Sequence, residues 1–320
     1  MKSRMCSLGG LVVRSAIVLG TVAAVAAMAG CGGADGEELA SSTTLDYQSP
    51  AWVGDSIYYL VGNATAYDSD STTALRRIRV GGRPEEVAVA APSCRNPDDL
   101  DAWAEELVAV SDHELGLLVP CSRAPVLALE QNPAAFVRQD VTSGSVTGVT
   151  PIDFGGWGVA WAADTQTVYA PTKSCPSGGI GRFAAGESNC FGGADPRFPV
   201  SAANGAIVYF TTRCGSDSAE PAGAYTVCRH GGSGRDTTIR RGVRDPWGLA
   251  TNDERVVVAG ELDGEAGLWL LEGGRIRKIA LGDYRGVALS PDGTRIAAPL
   301  REEGWFSTRW SLRVITVRPE

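Results

Sequence analysis

The chain has 320 residues, 37 of them acidic against 29 basic, for a formal net charge of −8. An acidic balance of this kind favours a soluble chain and argues against nucleic acid or an anionic membrane surface as a partner. The two histidines leave a poor inventory for acid–base or metal chemistry.

Lys2, Arg4 and Arg14 precede a stretch without charge from Ser15 to Gly30. A basic start, an apolar middle and small residues before a cut site describe an export signal over residues 1–30, and the run is marginal for spanning a bilayer. It ends in Met28-Ala29-Gly30-Cys31, which resembles the bacterial lipoprotein signal with methionine in place of the usual leucine. The resemblance implies that Cys31 becomes the lipid-bearing first residue, that the protein sits on the extracytoplasmic side of the cell membrane, and that its contact with the membrane runs through this anchor. Two acyl chains or more on one cysteine make such anchoring stable. An ordinary secretory signal, or a single membrane-spanning helix, with the cysteine falling by chance at its end, is the alternative.

Residues 31–42 are small and acidic, with Leu39 as the one large apolar side chain, so they read as a flexible tether. The folded domain is expected over 43–320. Without residues 1–30, 26 basic residues stand against 37 acidic ones, a net of −11.

Repeats organise that domain. The first unit is Ser49–Gly62, an apolar run, a turn and a second apolar run, followed by strands at Thr73–Val80 and Glu85–Ala90. The second opens with an acidic helical turn over Asn96–Leu107. Its hairpin follows at Leu107–Cys121, with PVLALE and AAFVRQDV as outer strands. The third is Trp157–Pro171 with GIGRFAA beyond it. In the fourth, Ser201–Thr212, Asn204-Gly205 supplies a tight turn, and AYTVCRH and DTTIRRGV complete the unit. The fifth starts at Trp247 and continues through GLWLLEG and RIRKIALG. The sixth is Val287–Leu300, VALSPDGTRIAAPL, with Trp310–Val317 as third strand.

A strand-turn-strand unit repeated every 40 to 55 residues or so points to propeller blades, because one blade cannot bury its own apolar faces without neighbours. The expected fold is all-β: a six-bladed β-propeller of four-stranded antiparallel blades. The last blade lacks one strand and Thr43–Gln48 has no partner, so this N-terminal segment is expected to close the ring. Five, seven or eight blades, or a pair of β-sandwiches, are the competitors. The six hairpins, and above all Ser290-Pro291-Asp292-Gly293, resemble the TolB-like and WD40-like propellers, a likeness that implies protein partners.

Six cysteines remain after Cys6 and Cys31: Cys94, Cys121, Cys175, Cys190, Cys214 and Cys228. An even number in an exported chain, none at C-x-x-C spacing, argues for disulfides. Pairing in sequence order is expected because neighbours in sequence stay within one blade or its border. Each such loop is worth about 3 kcal/mol in the chain-entropy model.

Three inner strands begin alike: Trp157-Gly158, Trp247-Gly248 and Arg285-Gly286. In a propeller the residue before the inner strand stands at the mouth of the channel, and Trp and Arg dominate binding hot spots. With Asp245 and Asp283 nearby, Trp157, Trp247 and Arg285 are the candidate binding residues; packing between blades is the competing role for each. No catalytic residue, metal ligand or cofactor site is indicated. His113 and His230 lack partners at triad or metal spacing, and no G-x-S-x-G elbow occurs. The expected function is a protein-binding or scaffolding module of the cell envelope. The alternatives are a small-molecule receptor and a propeller hydrolase of lactonase or glycosidase type, the latter favoured by carboxyls of raised pKa around a deep pocket.

Overall fold

Val53 and Ser56 face each other across a turn in which Gly54 takes a φ of +57°, the left-handed conformation that a residue without Cβ adopts freely. The same strand-turn-strand plan recurs along the chain. The computed structural model describes residues 36–63, 73–90, 104–121, 132–175, 178–184, 187–231, 234–252 and 255–318, all within the unit Ala34–Glu320.

The chain enters with β1 (Glu37–Ser42), which joins the last sheet. Next comes a four-stranded sheet of β2 (Leu45–Val53), β3 (Ser56–Asn63), β4 (Ala74–Arg79) and β5 (Glu85–Val87). A second holds β6 (Glu106–Ala109), β7 (Glu114–Pro120), β8 (Asn132–Asp140) and β9 (Val146–Phe154). A third holds β10 (Ala160–Ala162), β11 (Thr167–Pro171), β12 (Ile180–Ala184) and β13 (Glu187–Phe191). The fourth is a continuous seven-stranded sheet: β14 (Arg197–Ser201), β15 (Ile207–Thr211), β16 (Ala224–His230), β17 (Asp236–Asn252), β18 (Arg255–Leu262), β19 (Glu265–Glu272) and β20 (Arg275–Leu281). In the fifth, β21 (Asp283–Tyr284) and β22 (Ala288–Leu289) both pair with β23 (Arg295–Glu303), which pairs with β24 (Thr308–Thr316), and β24 with β1. Neighbouring strands are antiparallel in every sheet, so each turn reverses the chain.

Strands buried on both faces read as unbroken apolar runs, as in Ile57–Val61 and Leu268–Leu271, and those faces need partners on both sides. They find them in a ring of six apolar clusters. Leu60 and Leu75 of the first sheet pack on Leu117 and Val137 of the second. Phe136 packs with Trp161 of the third, their rings stacked 5.7 Å apart, and Ile180 with Tyr209 of the fourth. Within the seven-stranded sheet, Val208 and Phe210 meet Val258 and Trp269, so its two halves fold toward each other about β17. Val257 and Leu268 then meet Ile296 and Leu300 of the fifth sheet. Finally Ala297 and Leu312 meet Trp52 and Ile57 of the first sheet, and the circuit closes.

Several expectations are corrected. Residues 37–42 are not tether but strand: β1 pairs Ser42 with Trp310 and Glu37 with Val314. The ring is therefore closed by Glu37–Ser42, not by Thr43–Gln48, whose residues from Leu45 onward belong to β2. The physical reason is that a closing edge strand is held by backbone pairing and does not need an apolar run. In the second sheet AAFVRQD is third strand and Val146–Phe154 is outer strand, while PVLALE lies outside the described residues. Most of the helical turn expected at Asn96–Leu107 also lies outside them; its last two residues are in β6. The strands are grouped into sheets of four, five and seven strands, the seven-stranded one running through β17 without a break.

Cys175 bonds Cys190 and Cys214 bonds Cys228, each with Cα atoms 5.6 Å apart, as expected. Cys121 is disulfide-bonded as well; Cys94 lies outside the described residues, as do residues 1–30 and Cys31.

Candidate functional site

The inner strands surround a cavity of about 940 Å³ whose wall includes Glu106, Trp157, Phe198, Trp247, Arg285 and Phe306. Glycine sets how closely those strands approach. A Cβ on Gly158 would lie 2.5 Å from the Cα of Phe198, one on Gly248 3.2 Å from the Cα of Gly286, and one on Gly286 3.0 Å from Cδ of Pro50. Each of the three glycines thus abuts the inner strand of the next unit round the ring. The Trp or Arg before it is thereby carried to the rim.

Trp157 lines the cavity with 57% of its surface exposed, and its carbonyl accepts the Phe198 N–H at 2.7 Å. Trp247 is 36% exposed and lies under the Arg285 guanidinium, 3.8 Å from the ring centroid. Arg285 donates to Asp283 at 2.6 Å, and Arg301 approaches the same carboxylate at 3.5 Å. Asp245 is exposed beside this group. With Trp247, Asp283 and Arg285 it borders a second, smaller cavity of about 210 Å³. The structure therefore brings Trp247, Arg285, Asp283 and Asp245 together, and places Trp157 on the same main cavity from the third sheet. Asp153 is elsewhere: it accepts from Thr172 Oγ1 at 3.1 Å and from Ser174.

Two groups of residues were not anticipated. Glu105 and Glu106 line the cavity at the start of β6. Glu106 Oε2 accepts the Ser49 hydroxyl at 2.6 Å, Ser49 Oγ accepts the Leu107 N–H at 2.8 Å, and the Gly158 N–H also donates to Glu106. Burial pushes the Glu106 carboxyl up to about 7, with the Ser49 bond pulling the other way and Glu105 adding to the rise. Burial raises Glu105 too. Ser49 has a φ of +44°, a region that a non-glycine residue occupies only when its surroundings hold it there. The second group is Trp305 and Phe306, fully exposed in the loop between β23 and β24, with Phe306 reaching the cavity wall. All four exposed aromatic side chains among the described residues, Trp157, Trp247, Trp305 and Phe306, thus belong to the cavity wall or to the loop that borders it.

Among the described residues no three His, Cys, Asp or Glu side chains are placed to hold a metal ion, and no helix is long and apolar enough to cross a membrane. His113 is exposed. His230 meets Asp236 of its own sheet at 2.8 Å and stacks on Phe191 of the third sheet with ring centroids 4.0 Å apart, which ties the third and fourth sheets together.

No protein-family model and no curated protein sequence matches the chain. Among solved structures it is similar to the β-propeller domain of the Trilobed protease from Pyrococcus furiosus, at 14% identity and a TM-score of 0.52, over 87% of this chain and 97% of that one. It is similar to TolB from Acinetobacter baumannii at 10% identity and 0.50, over 85% and 80% of the two chains. The likeness to an acylaminoacyl peptidase from Pyrococcus horikoshii, at 12% and 0.51, covers 87% of this chain but only 53% of the peptidase, so the chain spans about half of that protein's length. At these identities the likeness speaks for fold alone. Together with the closed circuit of sheets, it makes this chain an all-β protein of propeller architecture.

Proposed function

We propose that the chain is a lipid-anchored, extracytoplasmic six-bladed propeller that serves as a protein-binding or scaffolding module of the cell envelope, with the partner taken at the channel mouth. Six blades result if β17 is counted twice, as outer strand of one blade and inner strand of the next, and if β21 and β22 are one interrupted inner strand. The six apolar clusters around the ring support that count. The signal over residues 1–30 and Cys31 supply the argument for the anchor.

One observation carries the binding reading: the exposed aromatics collect at the channel mouth, where Trp247 and Arg285 already form a stacked pair. Exposed aromatic side chains gathered around a concavity are what a binding face presents, because they bury much area at little entropic cost. In-cell crosslinking of the wild type beside a Trp157→Ala, Trp247→Ala, Arg285→Ala triple variant tests it. A specific protein captured by the wild type and lost at least tenfold in a variant that still folds is the expected outcome, a loss of about 1.4 kcal/mol or more. Equal capture by both forms removes the mouth as the interaction face, and no capture by either turns attention to small ligands.

The hydrolase reading has one specific observation in its favour. Glu106, with its pKa near 7, sits beside Glu105 in the wall of the cavity of about 940 Å³, where a carboxyl acts well as general acid or base.

A further inference from the structure

We infer that the anchor holds the end of the propeller opposite the channel mouth against the bilayer, so that the mouth opens away from the membrane. The inference rests on the reading that Cys31 carries the lipid. It follows from strand direction. β24 starts at Thr308, which lines the mouth cavity, and runs away from it to Thr316. β1 is antiparallel to β24, with Glu37 opposite Val314 and Ser42 opposite Trp310. The chain therefore joins the propeller at the far end and climbs toward the mouth.

The joining point is tightly fixed. Gly36 has a φ of +117°, and a Cβ there would lie 2.7 Å from both the Val314 carbonyl oxygen and the Ile315 side chain. Beside it, Glu38 accepts from Arg309 at 2.7 Å and pairs with Arg313 at 3.2 Å.

Reach then decides the orientation. From position 31 to position 36 an extended chain covers at most about 18 Å. From the level of Ile315 back to Thr308, β24 rises about 23 Å at ordinary strand spacing. The loop bearing Trp305 and Phe306 follows β23 at that same mouth end. A bilayer laid on the mouth is out of the lipid's reach, whereas one under the far end is within it. Charge argues in the same direction. Leaving aside Glu105 and Glu106, whose carboxyls burial raises, the mouth and its neighbouring cavity carry Asp46, Asp245, Glu261 and Asp283 against Arg285 and Arg301, a surplus of carboxylates that anionic headgroups repel. The surface next to the bilayer is then the end that carries the β10–β11 turn, and the aromatic rim meets partners from the aqueous side.

The test uses the full-length lipidated chain on phosphatidylcholine vesicles doped with an acceptor-labelled lipid. A donor dye is placed at Ala163→Cys in the exposed β10–β11 turn or at Trp305→Cys at the mouth, with Thr165→Cys and Ser307→Cys as a second pair should either of the first misfold. Energy transfer several-fold stronger from position 163 or 165 than from 305 or 307 is expected. Equal transfer, or stronger transfer from the mouth, overturns the orientation while vesicle association still upholds the anchor. If the wild type does not associate with vesicles at all, the anchor reading fails and the orientation falls with it.

Discussion

Glu106 joins three consecutive sheets through one carboxyl: it stands at the start of β6, takes the hydroxyl of Ser49 from β2, and takes the N–H of Gly158 just before β10. Its folded pKa of about 7 lies above the ordinary 4.5, so between those values the folded state holds a proton that the unfolded chain has released. Stability from this group is therefore full below pH 4.5 or so, declines as pH rises through the window, and reaches its lowest level above about 7. In Glu106→Gln this decline should vanish, with the urea midpoint higher than wild type at pH 8 and close to it at pH 4.5; parallel pH profiles would reject the assignment. The same variant, assayed on a lactone and glycoside panel, should lose any hydrolysis the wild type shows if the carboxyl is catalytic. The sequence made the rim legible, because Trp-Gly or Arg-Gly at the start of an inner strand recurs three times and each glycine proves to be a point of close approach. It could not reveal Glu106, since the burial that makes this carboxyl unusual comes from strands far apart in sequence.

The turn at Ser290–Gly293 and the strand β1 mark the two extremes of legibility. In the turn, Asp292 accepts the Ser290 hydroxyl at 2.5 Å and the Thr294 N–H at 3.1 Å, bonds that hold its carboxyl down to about 2. Gly293 beside it takes a φ of +69°, so each residue of the motif has a local job and the motif is readable locally. β1 has no such signal. Its sequence, EELASS, is mostly exposed or half-buried and places only Leu39 and Ala40 against the core cluster of the first and last sheets. Its information is in backbone pairing and in the ion pairs of Glu38, neither of which leaves a periodicity. Deleting residues 37–42 uncovers the Leu312 and Val314 side of the last sheet and opens its edge, a loss on the order of 3 kcal/mol or more from burial alone. Calorimetry should show a markedly lower melting temperature; a midpoint equal to wild type would mean that the ring closes without this strand.

At the scale of the whole molecule, the proposed anchor at Cys31 lies outside the folded domain in sequence, so substituting it tests attachment without touching the domain. On the proposed reading that residues 1–30 are removed, the remaining chain carries a net charge of −11, which disfavours an anionic surface. Cys31→Ala should move the protein from the membrane to the soluble fraction and leave the melting temperature unchanged; continued sedimentation with membranes would place the attachment in the domain. Propeller architecture was readable because the apolar runs recur. The blade boundaries were less so, since β17 runs without a break from one half of its sheet to the other.

The closing strand has a mechanical consequence. If the proposed partner gripped the mouth while the proposed lipid on Cys31 held the chain leading into Gly36, a pull between them would run along the axis of β1. Antiparallel hydrogen bonds lie across that axis, so β1 and β24 are loaded in shear and their bonds must yield together instead of peeling one at a time. The pulled end is also where Glu38 grips Arg309 and Arg313. The seam that closes the ring is thus oriented to resist the tension that its own tether would transmit.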